Sequence, residues 1–173
     1  MNEKQLIEGC LNGNRKDQEK LYCLYSGKMM GLCMRYVGDR ETARDLLQDG
    51  FIKVFTSLDK FSGTGAFDAW IRMIFVNVAL EHIRKKDLLY DAVDLDDMNA
   101  ITEDNSTIST LSVIMIMELV QKLPEGFRTI FNLYAIEGYS HKEIGDMLNI
   151  SESTSRSQYA RAKQWLRKRM VEC

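Results

Sequence analysis

The sequence predicts an all-α protein made of two small helical domains joined by a flexible acidic linker, the C-terminal one a helix-turn-helix. Three observations carry this expectation. The chain of 173 residues contains a single proline, Pro124, and is rich in strong helix formers. Apolar residues recur at three- and four-residue steps through residues 1–86 and again through residues 111–173. Between these blocks, residues 87–112 hold seven acids (Asp87, Asp91, Asp94, Asp96, Asp97, Glu103 and Asp104) and no base. The expected organisation is a first domain over 1–86, a linker over 87–110 and a second domain over 111–173.

The first helix is short and ends where Asn12, Gly13 and Asn14 break the pattern. The second sets Leu21, Leu24, Tyr25, Met29, Leu32 and Tyr36 on one face, the spacing of a buried helical stripe. Gly38 and Asp39 interrupt it, and Asp39 is placed to cap the next helix. That third helix carries Ala43, Leu46, Leu47, Phe51, Val54, Phe55 and Leu58 on one side. Residues 61–65, FSGTG, form a glycine-containing loop. A fourth helix follows, with Trp70, Ile71, Ile74, Phe75 and Val78 inward, and runs into the basic triplet Arg84, Lys85 and Lys86.

The middle segment has no sustained period and much Asp, Asn, Ser and Thr, so like charges repel and it behaves as a tether. Residues 94–99 lack the central glycine and terminal glutamate of a calcium-binding loop. Beyond it, residues 111–123 make an amphipathic helix stopped by Pro124. Residues 127–136 make another, ended by Glu137 and Gly138. Ser140 and Glu143 have capping-box spacing, which starts a short helix with Ile144, Met147 and Leu148 inward. Asn149, Ile150 and Ser151 form a turn, and Ser151 caps a long helix reaching about Met170. Short helix, three-residue turn and long helix are the layout of a helix-turn-helix.

Composition narrows the functional classes. No apolar run approaches the eighteen or so residues of a membrane span, and the N-terminus lacks the basic flank and apolar core of a signal peptide. A cytoplasmic protein is expected. Cys10, Cys23, Cys33 and Cys173 are not at metal-ligand spacing, and Cys33 falls in an apolar helical stretch that reads as core. His82 and His141 stand apart from each other and from any carboxylate motif. No phosphate-binding glycine loop is present. The expectation is therefore no cofactor, no metal and no catalytic set. The net charge of −2 argues against indiscriminate nucleic-acid binding, yet residues 1–86 carry fourteen Lys/Arg against eleven Asp/Glu, and residues 113–173 nine against seven. Two mildly basic blocks flank the acidic connector.

The long C-terminal helix carries the clearest chemistry. Its first turns (Glu152, Ser153, Thr154, Ser155, Arg156, Ser157 and Gln158) are small or polar, as entry into a major groove about 12 Å wide requires. Thr154 and the amides of the first turn suit a phosphate. Arg156 and Gln158 can reach base edges, where Arg favours guanine and Gln adenine. Arg161, Lys163, Arg167, Lys168 and Arg169 continue a positive strip. Taken alone, that strip is better explained as a solvated basic face; the short helix and turn that precede it favour DNA binding. Similarly, Arg84, Lys85 and Lys86 suit the negative end of a helix dipole as well as a phosphate.

The ordered set of motifs is more specific than any one of them. Residues 38–55, GDRETARDLLQDGFIKVF, resemble the polymerase-binding helix of extracytoplasmic-function (ECF) sigma factors of the sigma-70 family. Residues 61–71 and 77–86 resemble that family's promoter-melting loop and minus-ten reading helix. Leu123-Pro124, Glu137 to Ser140, and Glu143-Ile144 resemble its minus-thirty-five domain. The resemblance implies that Asp45, Gln48, Asp49, Phe51 and Val54 meet the clamp of the largest subunit of core RNA polymerase. It implies that Phe61, Ser62, Gly63, Thr64, Gly65, Ala66, Phe67 and Trp70, with Asn77, Arg84, Lys85 and Lys86, serve the minus-ten element and its melting. Thr154, Arg156, Ser157, Gln158, Ala160, Arg161 and Lys163 would serve the minus-thirty-five element.

Implied partners are core polymerase (including the flap of its second-largest subunit), promoter DNA and a cognate anti-sigma factor, without membrane insertion. The family often has Gly-Thr-Val where this chain has Ser153, Thr154 and Ser155, and a basic residue where Gln158 stands. The competing reading is a stand-alone helix-turn-helix regulator. It would bind DNA without polymerase.

Overall fold

The computed structural model describes residues 3–85 and 113–171, and the chain divides into two compact units, residues 1–85 and 86–173. The described secondary structure is helical throughout. The linker acids, Lys86 and Cys173 lie outside the described residues. No described helix is long and apolar enough to cross a membrane.

The first unit holds α1 (Glu3–Leu11), α2 (Arg15–Val37), α3 (Arg40–Ser57) and α4 (Phe67–Lys85), with a 3-10 turn at Leu58–Lys60. Each break follows from local chemistry. Gly13 takes a positive φ of 74°, and Asn14 then caps α2 by accepting from the Lys16 amide at 3.0 Å. Gly38 closes α2 in the left-handed conformation, and Asp39 accepts from the Thr42 amide at 2.8 Å to begin α3. The core contains Leu21, Met29, Leu32, Tyr36, Ala43, Val54, Phe67, Ile71 and Phe75. Cys10 and Cys33 are buried, Cys23 exposed, and burial pushes the Cys33 thiol up to about 12, so it stays protonated and inert. Gly50 is a packing requirement: a Cβ there would lie 2.2 Å from Cε1 of Phe75, so the ring of α4 occupies the space a side chain on α3 would need.

Leu24 corrects the expected stripe, being 64% exposed. At about 100° per residue, Leu21, Tyr25, Met29, Leu32 and Tyr36 fall within about 80° of arc, and Leu24 lies about 60° beyond its edge. Leu47 and Phe55 of α3 are only partly buried.

The second unit holds α5 (Val113–Gln121), α6 (Glu125–Phe131), α7 (His141–Leu148) and α8 (Glu152–Val171). Leu119, Val120, Leu123, Phe127, Ala162 and Leu166 form one apolar cluster, which ties α5 and α6 to α8. Arg128 is buried, and its guanidinium donates to the Gln121 carbonyl at 2.8 Å, satisfying the end of α5. Pro124 does more than stop α5. It stands at the N-cap of α6, where a missing N–H costs nothing. The helix expected over 127–136 starts earlier and widens into a π turn at Asn132–Ile136. The capping box is present in both directions, with Ser140 Oγ accepting from the Glu143 amide at 3.2 Å and Glu143 Oε2 accepting from the Ser140 amide at 2.8 Å. Asn149 is left-handed (φ 56°), and a Cβ on Gly145 would come within 2.8 Å of the Ile150 carbonyl. The turn between α7 and α8 is closed by these two residues. Ser151 Oγ then accepts from the Thr154 amide at 3.0 Å and starts α8.

Candidate nucleic-acid interface

Helix α8 presents two opposed faces. Ser155, Ala162 and Leu166 are buried at a seven- and four-residue spacing. Ser153, Ser157 and Ala160 therefore fall on the opposite side, and all three are exposed. Arg156 and Arg161 flank this small-residue strip, about 100° and about 120° from the buried row in opposite senses. Both are exposed, and Arg156 is paired with Glu152 one turn before it. Small residues at the centre leave room for the backbone to approach a groove floor, and guanidiniums on either side have the length to reach base edges or phosphates there.

Four expectations for this helix change. Ser155 is fully buried, and its hydroxyl lies 2.9 Å from Nδ1 of His141, so it faces the unit's interior. Thr154 is half-buried, with its amide donated to Ser151 and its hydroxyl 2.7 Å from Ser151 Oγ; it belongs to the helix cap. Gln158 lies toward α6, where a Cβ on Gly126 would sit 3.9 Å from its Oε1, and it is only partly exposed. The positive strip is also divided. Arg169 stacks at 3.6 Å on Trp165, and Lys163 lies 5.1 Å over Tyr159.

Behind the outer face, His141 stacks on Tyr134 with ring centroids 4.1 Å apart and planes within 9°, and Tyr159 packs against both rings. Desolvation by this packing, then the neighbouring Arg156 guanidinium, holds the His141 imidazole below its ordinary value, with Glu152 opposing. His141, Tyr134, Tyr139, Lys142, Glu152 and Arg156 line an open groove of about 560 Å³.

In the first unit, the loop between the 3-10 turn and α4 is pinned at both ends by aromatic rings. Phe61, Phe67 and Trp70 form a cluster with centroids 5.2–5.5 Å apart. Phe67 is buried and packs edge-on against Tyr25 at 5.5 Å, so it anchors the loop and is not free to meet a base. Phe61 and Trp70 are partly exposed, and Ser62, Gly63, Thr64, Gly65 and Ala66 are exposed. Gly63 and Gly65 have φ of 71° and 92°, backbone that other residues rarely adopt. From Trp70 the outer face of α4 continues through Met73, Asn77 and Arg84, which fall within about 40° of one line and span about 21 Å of helix. Asn77, Arg84 and Lys85 are exposed, and Met73 is 48% exposed. Glu81 also lies on this face, but Lys53 at 2.5 Å and Lys85 at 3.7 Å neutralise it and depress its carboxyl.

The outer face of α3 carries Asp45, Gln48 and Asp49, all exposed, as expected. Phe51 and Val54 are corrected to core: they are 4% and 0% exposed, with Phe51 packed against Tyr22, Phe55 and Phe75. The apolar residue that does lie among Asp45, Gln48 and Asp49 is Ile52, 54% exposed. Ile52, Met73, Tyr134 and His141 were not among the expected site residues. For Ile52 the signal was available, since it stands seven residues after Asp45 and four after Gln48 on the same wheel face.

Residues 21–88 match the family model for Sigma-70 region 2, and residues 114–166 match that for Sigma-70, region 4. Curated relatives resemble the chain over nearly its full length. The ECF RNA polymerase sigma-E factor of Haemophilus influenzae is 27% identical, covering 96% of this chain and 94% of the relative. The RNA polymerase sigma-H factor of Pseudomonas aeruginosa is 28% identical, covering 94% and 90%. The ECF RNA polymerase sigma factor SigW of Bacillus subtilis is 26% identical, covering 96% of each. Among solved structures, the sigma factor RpoE from Bartonella quintana, in complex with the anti-sigma factor NepR, shares the fold. It aligns at a TM-score of 0.54 and 18% identity, over 91% of this chain and 98% of that one. CnrH in complex with the cytosolic domain of CnrY aligns at 0.50 and 20% identity, over 96% of each.

Proposed function

The chain belongs to the extracytoplasmic-function branch of the sigma-70 family, and we propose that its two units divide the work of promoter-directed initiation by RNA polymerase. The first unit binds core polymerase through the α3 face of Asp45, Gln48, Asp49 and Ile52. It reads and opens the minus-ten element through the Phe61–Ala66 loop, Trp70, Asn77, Arg84 and Lys85, with Lys86 continuing the basic triplet. The second unit reads the minus-thirty-five element through Arg156, Ser157, Ala160 and Arg161. The linker over 87–110 tethers the two.

The physical scheme needs no catalysis by the chain itself. Extruding a base from a duplex costs a few kcal/mol unless a pocket receives it. A loop held by Phe61 and Phe67 at its ends, with exposed glycines between, suits that receiving role because it requires little further ordering. The single observation that carries the proposal is the division of α8 into a buried row at Ser155, Ala162 and Leu166 and an exposed strip flanked by Arg156 and Arg161. A cognate anti-sigma factor, of the kind seen in the Bartonella quintana complex, would act by covering these surfaces.

The decisive experiment is in vitro transcription with core polymerase across a genomic DNA library, alongside a gel shift with the chain alone. Specific transcripts only when chain and core are combined, with weak DNA binding by the chain alone, are expected. Tight sequence-specific binding without core, and no transcription with it, would refute the proposal in favour of a stand-alone regulator.

A further inference from the structure

Helix α8 must be held at one rotation about its axis if Arg156 and Arg161 are to address chosen base edges. A turn of about 20° moves a side-chain tip at a radius of about 6 Å by about 2 Å, more than a hydrogen bond tolerates. Apolar packing at Ala162 and Leu166 resists separation of α8 from its neighbours but is not directional. One directional contact exists on the buried row. Ser155 Oγ and His141 Nδ1 are 2.9 Å apart, in a setting where the serine is fully buried and the histidine 9% exposed.

His141 is itself fixed. It is the first residue of α7, immediately after the N-cap Ser140 and inside the Ser140–Glu143 capping box, and its ring lies flat on Tyr134 of the π turn. The two partners thus join α8 to both preceding elements at one point. Ser155 lies directly opposite the exposed strip, between the arcs leading to Arg156 on one side and Arg161 on the other. A buried hydroxyl in place of an apolar group is tolerated when it has a partner, and His141 is that partner.

We infer that His141 is a positioning residue for minus-thirty-five recognition: through its hydrogen bond to Ser155 and its stack on Tyr134 it sets the rotation of α8, and so where Arg156 and Arg161 point. This rests on the assignment of α8 to the minus-thirty-five element. His141 is half of a polar pair, so removing either member orphans the other, while replacing both with apolar groups restores a satisfied contact.

The test is transcription by core polymerase with the full chain on templates carrying a randomised minus-thirty-five element, with transcripts sequenced. His141→Phe keeps the stack and removes the bond; Ser155→Val removes the hydroxyl. Each is expected to lower the enrichment of the best element over the mean about tenfold. The pair together, which restores a satisfied but undirected contact, is expected to regain the parent's urea midpoint while keeping the lowered enrichment, and His141→Asn, which retains a hydrogen-bonding atom near the Nδ1 position but loses the stack, to fall between the parent and His141→Phe. Circular dichroism confirms that each variant is folded.

Single variants with unaltered preference, a double variant whose preference recovers along with its stability, or reduced output at unchanged preference would each overturn the inference. Arg156→Ala separates the two levels of the argument. If it changes preference and His141→Phe does not, only the positioning role fails; if Arg156→Ala changes nothing, the assignment of α8 fails, and the positioning role with it.

Discussion

The contact between Gly50 and Phe75 offers a quantitative test of how the first unit is packed. A Cβ on Gly50 would lie 2.2, 2.5 and 2.6 Å from Cε1, Cζ and Cδ1 of Phe75, whereas unstrained carbons sit about 3.5–4.0 Å apart. The ring would have to move by more than about 1 Å, yet Phe75 is fully buried and lies edge-on to Phe51 at 5.3 Å. Gly50→Ala gains about 1 kcal/mol of helix propensity but meets an overpacking cost of about 1–3 kcal/mol. Phe75→Leu opens space at a cost of about 1–3 kcal/mol, less than the about 3–5 kcal/mol of truncation to alanine. Combining them lets the new methyl occupy space the ring vacated.

The double variant should therefore be more stable than the sum of the singles by about 1–2 kcal/mol. Each unit contains one of the chain's two tryptophans, Trp70 and Trp165. Urea unfolding of the full chain in a Trp165→Phe background then reports the first unit through Trp70 alone. Additivity within about 0.5 kcal/mol, or a stabilising Gly50→Ala, would refute the claim that this glycine exists to admit the ring.

Other outcomes follow from the exposed faces and the titrating groups. Ile52→Asp should weaken association with core polymerase at least tenfold while leaving the unfolding midpoint unchanged, measured by fluorescence anisotropy of the labelled chain. Asn77→Asp should reduce promoter opening about tenfold on duplex templates and much less on templates with a pre-opened bubble, followed by permanganate reactivity. His141 has a folded-state value below the ordinary 6.5, so below that pH the unfolded chain binds a proton the folded unit does not, and stability falls as pH drops. Glu143, held below its ordinary 4.5 by its hydrogen bonds to Ser140, adds a second decline at lower pH as its carboxylate is protonated. Urea midpoints of the second unit, read through Trp165 in a Trp70→Phe background, should show both declines, and His141→Asn should remove only the first.

Turn chemistry made most of the fold legible. Asp39, Ser140 with Glu143, and Ser151 act where their spacing placed them, because capping depends on a few adjacent atoms and little on tertiary context. What the sequence conceals is which edge of an apolar stripe meets the core. Leu24 lies outside because neighbouring helices cover only part of α2. Phe51 and Val54 lie inside, where the helical period puts them and the resemblance does not, because their arc points at α4, which leaves Ile52 outward among Asp45, Gln48 and Asp49. Ser155 is hidden from the sequence for a related reason: a serine counts as surface until a partner such as His141 is brought to it by the turn between α7 and α8. That pairing joins residues fourteen apart, and no helical period announces it.

The outward strip of α8 adds almost nothing to the burial that holds the second unit together. Substitutions at Arg156, Ser157, Ala160 and Arg161 should each alter stability by no more than about 0.5 kcal/mol. If α8 reads the minus-thirty-five element as proposed, promoter preference is thereby free to drift, in lineages or in the laboratory, without a folding penalty. On that assignment the same scaffold, capped by Ser151 and tightened by Gly145 and Asn149, is an exchangeable key blank whose teeth could be recut to retarget transcription.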